Sequence, residues 1–173
     1  MPRAPRTIYP GCAHHIIQRG NRRQRTFFDP ADYRSYIELA REAFDEFGIV
    51  CWAWCLMPNH VHLVLVPSDT DGLTKAVART HQRYTARVNA REGWQGYLWQ
   101  GRFKSTPMDD EHLYVAARYI ELNPVRSGLV SRAEDWPWSS ARAHLAGRDD
   151  RLTCVSAMLS RTRSWAAYLR GDE

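Results

Sequence analysis

The sequence predicts an α+β domain of ferredoxin-like type: a βαββαβ antiparallel sheet with an added helix and a C-terminal helical extension. Three observations predict it. The run from Leu56 to Pro67, punctuated by Pro58 and Pro67, alternates at period two and reads as a strand with two distinct faces. Two segments, following Asp29 and Asp71, repeat apolar residues at helical spacing between start and stop signals. The elements then follow in the order strand, helix, strand, strand, helix, strand, which is the split βαβ arrangement.

Taken in order, His14 to Arg19 forms the first strand, with Ile16 and Ile17 as its apolar content. Gly20-Asn21-Arg22-Arg23-Gln24-Arg25 is a turn loaded with cations. The first helix has Asp29 as N-cap, Pro30 in its first position and Gly48 after its last turn. Tyr33, Tyr36, Ile37, Ala40, Phe44 and Phe47 share one of its faces. Ile49 to Leu56 is the second strand, turning at Met57-Pro58-Asn59 into the third. Asp71-Gly72 opens the second helix, with Leu73, Val77, Tyr84 and Val88 inward and Lys75, Arg79, Arg83, Arg87 and Arg91 outward. Tyr97 to Met108 reads as extended chain, and Pro107 assigns it to a sheet edge. A third helix, capped by Asp109 or Asp110, runs to about Asn123, where Pro124 is expected to stop it. Trp136-Pro137-Trp138-Ser139-Ser140 leads into a short helix, and Leu152 to Leu169 holds two more.

The 173 residues, 44% of them hydrophobic, suit one domain with a real core, and no apolar run is long enough to span a membrane. The basic N-terminus lacks the apolar stretch of a signal peptide. Four cysteines without a CxxC pair fit a reducing compartment. A net charge of +5 is compatible with a polyanionic partner.

The chemistry gathers on the third strand. His60 and His62 leave the same face, their Cα atoms roughly 6.6 Å apart, while Val61, Leu63 and Leu65 enter a core on the other. With two helices covering one face of the sheet, the third helix is expected across the other, over the histidines. On that helix Leu113, Ala116, Ala117 and Ile120 form the core stripe. Tyr119 and Asn123, four apart and side by side, lie on the neighbouring one. Two imidazoles and a carboxamide oxygen carry no charge, so Mg²⁺ or Mn²⁺ held by them stays Lewis-acidic toward a phosphate oxygen. A free phenol, titrating near pH 10, becomes a usable nucleophile once the phosphodiester is polarised.

These residues resemble the single-tyrosine HUH transposases. Within them the likeness is to the branch associated with repetitive extragenic palindromes, the REP-associated tyrosine transposases. The matching strings are Gln18-Arg19-Gly20-Asn21, Leu56-Met57-Pro58-Asn59-His60-Val61-His62-Leu63, Leu98-Trp99-Gln100-Gly101-Arg102-Phe103-Lys104-Ser105, Arg118-Tyr119-Ile120-Glu121-Leu122-Asn123-Pro124-Val125-Arg126 and the Trp136 to Ser140 string. They fall within Tyr9 to His144, so residues 1–144 are taken as the transposase-like domain and 145–173 as its helical extension. The resemblance implies Tyr119 as nucleophile and His60, His62 and Asn123 as ligands of a divalent metal. It also implies cleavage and rejoining of single-stranded DNA beside a hairpin, through a 5′-phosphotyrosine. The protein is expected to act as a monomer in the bacterial cytoplasm, at the nucleoid, with no membrane partner. Relatives often use glutamine where Asn123 stands, one methylene longer.

DNA contacts are expected from Arg19, Asn21, Arg22 and Arg23 in the cationic turn, from Arg83 on the second helix, and from Trp99, Arg102 and Lys104, where aromatics and cations mix. His112 shares the stripe of Tyr119 but is expected to be structural, and a core role is expected for His15 on the first strand. A zinc site on Cys51 and Cys55 is set aside, because four strand residues separate them by about 13 Å. A histidine-triad hydrolase is set aside too, since Val64 stands where it needs another histidine. Two alternatives stay open: a DNA-binding regulator without catalysis, and a phosphodiesterase using activated water.

Overall fold

Four short strands and three long helices place the candidate residues, and the alternation of β3 decides which side they occupy. The computed structural model describes residues 4–172. Strands β1 (His14–Arg19), β2 (Ile49–Met57), β3 (His60–Pro67) and β4 (Lys104–Pro107) form an antiparallel sheet in the order β2-β3-β1-β4. The ferredoxin-like expectation holds, with β1 and β3 central and the proline-bearing strand at an edge.

Helices α1 (Pro30–Phe47) and α2 (Gly72–Glu92) lie on one face, where Tyr36, Phe44, Leu73, Val77 and Tyr84 pack on Ile16, Val61, Leu63 and Leu65. The start of α1 is as expected: Asp29 Oδ1 accepts from the Asp32 N–H at 3.0 Å. Its end is Gly48 at φ 63°, a left-handed conformation that favours glycine, and a side chain there would also collide with Ser68. Helix α2 opens at Asp71-Gly72 as expected, and Asp69 accepts from the N–H groups of both residues.

Helix α3 (Asp110–Arg126) crosses the opposite face, seating Leu113, Ala117 and Ile120 on Ala53, Cys55 and Val64. It runs beyond Asn123. Pro124 sits in its last turn, where the missing N–H removes one bond to the Ile120 carbonyl without ending the helix. Ser127 N–H still closes onto the Asn123 carbonyl at 3.0 Å.

The other departure is at β4, which is four residues long, whereas extended chain was expected from Tyr97. Residues 97–103 form a loop tied to the end of β1, with Gln100 N–H donating to the Arg19 carbonyl at 2.8 Å. A register shift between Cys51 and Ala53 makes a bulge in β2. Cys51 therefore joins the α1/α2 core and Cys55 the α3 core, a stronger bar to shared zinc than their spacing. After Pro137, α4 (Ala141–Ala146), α5 (Ser156–Leu159) and α6 (Trp165–Arg170) fold back, and Met158, Trp165, Tyr168 and Leu169 complete the α3 core.

Candidate functional site

The β3 pleat and the α3 stripe bring four of the expected residues into one groove. His60, His62, Tyr119 and Asn123 line a cavity of about 840 Å³, with Arg19, Arg102 and Lys104 on its walls. His60 and His62 are both buried, with ring centroids 5.0 Å apart and planes at 82°. The Asn123 Nδ2 donates to His62 Nε2 at 3.1 Å. The Tyr119 ring stands 5.9 Å from that of His62, and the residue is 46% exposed where it lines the groove. The Arg126 guanidinium lies 4.6 Å above the Tyr119 ring.

Burial makes both imidazoles neutral. It holds His62 down at about 3, with the nearness of His60, His15 and Arg19 disfavouring a further proton, and His60 at about 4, with the Arg19 charge adding to the effect. Each ring therefore offers a lone pair at neutral pH, which a metal requires.

The donor set decides what cation it fits. Among the described residues no group of three His, Cys, Asp or Glu side chains is arranged to hold a metal, and the Asn123 carboxamide, in contact with His62, is the candidate third donor. The set fits a divalent ion of the Mn²⁺ or Mg²⁺ kind, leaving positions for phosphate oxygens. Ligation through Asn123 needs its Oδ1 turned inward, away from Ser127 Oγ, which donates to it at 3.4 Å.

Two further partners complete the surroundings of the histidines, and periodicity did not single out either for this place. His60 Nδ1 donates to Asn59 Oδ1 at 2.7 Å, and Asn59 Nδ2 donates to the Arg23 carbonyl at 3.2 Å. His15 Nε2 stands 3.0 Å from His62 Nδ1, with the rings stacked 5.2 Å apart. His15 thus lines the groove, where a core role was expected. The signal for it was available: on β1 it sits two residues from Ile17, the partner of His62, and so on the same sheet face.

The cationic turn is a short 3-10 segment, Asn21–Arg23, in which Arg22 (φ 54°) and Arg23 (φ 60°) are both left-handed. Gly20 packs so closely on the Gln24 carbonyl that a side chain would not fit. Arg23 shares a cavity of about 470 Å³ with Arg25, Asn59 and His60, next to the groove. Asn21 and Arg22 line another of about 280 Å³, beside Trp94 and Tyr97.

Two of the expected DNA contacts lie elsewhere. Arg83 sits on α2, across the sheet, and pairs with Glu42 of α1 at 2.6 Å. Trp99 is buried in the α1/α2 core, its ring 4.8 Å from that of His81, and offers no face for base stacking. The exposed aromatic in that stretch is Tyr97, at 87%. His112 is an exposed partner of Asp109.

A ferredoxin-like sheet with a histidine pair beneath a tyrosine-bearing helix agrees with the resemblance to the single-tyrosine transposases. Residues 8–123 match the family model described as "Transposase IS200 like", and the chain belongs to that family. It is similar to a REP-associated tyrosine transposase of Haemophilus influenzae, 30% identical over 61% of this chain and 68% of the relative. It also resembles the REP-associated tyrosine transposase of Escherichia coli, 26% identical over 54% of this chain and 55% of that protein. Its fold matches a solved REP-associated tyrosine transposase bound to a REP hairpin, with TM-score 0.71, 20% identity, and coverage of 89% of this chain and 92% of that one. No helix among the described residues is long and apolar enough to cross a membrane.

Proposed function

We propose that this chain is a metal-dependent enzyme that nicks and rejoins single-stranded DNA beside hairpins of repetitive palindromic elements. The observation that carries the reading is the position of Tyr119, exposed at the groove and 5.9 Å from the ring of His62. His60, His62 and Asn123 would hold Mg²⁺ or Mn²⁺, which when bound polarises a phosphoryl oxygen. Arg19, Arg102 and Lys104 orient the strand by its phosphates, and the Arg22–Arg23 turn and Tyr97 border its path. Tyr119 Oη attacks phosphorus in line, forming the O–P bond as the bond to the 3′ oxygen breaks. The phenolic proton lost is matched by the one the 3′ oxygen gains, leaving a 3′ hydroxyl and a 5′-phosphotyrosine. Arg126 over the Tyr119 ring favours the negative charge that develops on the phenol oxygen. Attack by a 3′ hydroxyl on the phosphotyrosine runs the same step in reverse and joins strands. Tyr119 stands 5.9 Å from the His62 ring of its own chain, which supports attack in cis. The hairpin ligand of the structural relative supports the substrate class.

The test is a labelled single strand with a hairpin, incubated with Mn²⁺ or Mg²⁺ and run on a denaturing gel. A slow protein–DNA adduct, absent from Tyr119→Phe and His62→Ala, is expected. Cleavage that survives Tyr119→Phe would mean activated water as nucleophile. Binding without cleavage in any metal would mean a DNA-binding regulator.

A further inference from the structure

We propose that His15 is a positioning residue for the cation site: it accepts the Nδ1 proton of His62 and so keeps the His62 Nε2 lone pair available to a metal. This rests on the cation reading above and adds to it the residue that selects the tautomer of one ligand.

The assignment follows from a chain of hydrogen bonds ordered by the orientation of the Asn123 amide. Ser127 Oγ donates to Asn123 Oδ1, which leaves Asn123 Nδ2 facing His62 Nε2 at 3.1 Å. An amide nitrogen only donates, so His62 Nε2 is the acceptor and carries no proton. A neutral imidazole has one proton, and that of His62 is therefore on Nδ1. At 3.0 Å from Nδ1 stands His15 Nε2, which must accept. The opposite polarity, with His15 donating, would put the His62 proton on Nε2 against the amide N–H of Asn123, two donors facing each other.

His60 is arranged in the same way by different residues. Its Nδ1 donates to Asn59 Oδ1 at 2.7 Å, and Asn59 is oriented in turn by the Arg23 carbonyl. Both histidines thus have Nδ1 committed to a fixed acceptor and Nε2 left for a ligand. Partners of this kind fix ring orientation as well as tautomer, and their loss typically lowers metal affinity about 10- to 100-fold. The sheet brings His15 into reach, because it pairs with Val64 and is therefore the diagonal neighbour of His62 on the same face.

His15→Leu removes the acceptor and keeps apolar volume, whereas His15→Gln keeps an acceptor at similar reach. Two readouts apply to the purified protein without DNA: the imidazole ¹⁵N pattern of His62, and Mn²⁺ affinity by electron paramagnetic resonance. The wild type should show His62 protonated on Nδ1. His15→Leu should shift that proton toward Nε2 and weaken Mn²⁺ binding about 10- to 100-fold, and His15→Gln should restore both. A His62 proton on Nε2 in the wild type would overturn the proposal, as would unchanged Mn²⁺ affinity in His15→Leu beside abolished binding in His62→Ala. Equal Mn²⁺ binding by wild type and His62→Ala would instead overturn the cation reading itself, and the proposal with it. If His15→Leu does not fold, the tautomer in wild type and the affinity of His15→Gln decide the question.

Discussion

Glu121→Ala should destabilise the protein by about 4 kcal/mol, because the Glu121 carboxylate satisfies three buried donors at once. It is fully buried and accepts from Ser140 Oγ at 2.5 Å, His144 Nδ1 at 2.5 Å and Trp165 Nε1 at 2.7 Å. Each donor stranded by truncation costs about 1–3 kcal/mol. The three bonds share one acceptor, so these losses overlap instead of summing. Against a total near 5–15 kcal/mol the loss is large. Glu121 is two residues from both Tyr119 and Asn123, about 200° around the helix, so the carboxylate holds α3 from behind. Urea unfolding at neutral pH reads the effect as a fall in midpoint at constant slope. Glu121→Leu separates the causes, since it fills the volume and still strands the donors. It should lose nearly as much as the alanine variant. A Glu121→Leu midpoint close to wild type would refute the reasoning and leave α3 held by packing alone.

Three further outcomes follow from the same structure. Trp99→Ala should cost about 3–5 kcal/mol of stability as a core truncation, while Tyr97→Ala should leave stability unchanged and weaken single-strand binding by about 1–3 kcal/mol. Urea melts and fluorescence anisotropy measure the pair. Arg22→Gly and Arg22→Ala should weaken DNA binding alike, yet the glycine variant should be the more stable by about 1 kcal/mol, since only it relieves the left-handed backbone. Burial holds His81 at about 3, so the unfolded chain takes up a proton below pH 6.5 that the folded one refuses. Its contribution is intact above about pH 6.5 and falls by about 1.4 kcal/mol per unit as pH drops toward 3. His81→Gln, which keeps a partner for the Tyr36 hydroxyl, should flatten that part of a stability–pH curve.

The parts of the molecule legible from sequence are those where one residue's local preference has a single outcome. Alternation through β3 put His60 and His62 on one face, and caps at Asp29 and Gly48 bounded α1, because pleat and capping act over a few residues. Spacing of four put Tyr119 beside Asn123 for the same reason. Local rules failed where distant chain decided the matter. Trp99 and Tyr97 are alike to any such rule, and only the closure of 97–103 over the α1/α2 core buries one and exposes the other. Arg83 looked free because its partner, Glu42, lies on another helix. Pro124 looked terminal because the rule against helical proline describes an interior position, whereas here it occupies the last turn. His15 and Glu121 mark the limit most sharply. Each is an ordinary residue in its own element, and its role exists only through partners brought in by β3 and by the C-terminal helices. What the sheet and helices place can be read from periodicity, and what fixes a tautomer or anchors a helix from behind is set by tertiary hydrogen bonds that periodicity does not encode.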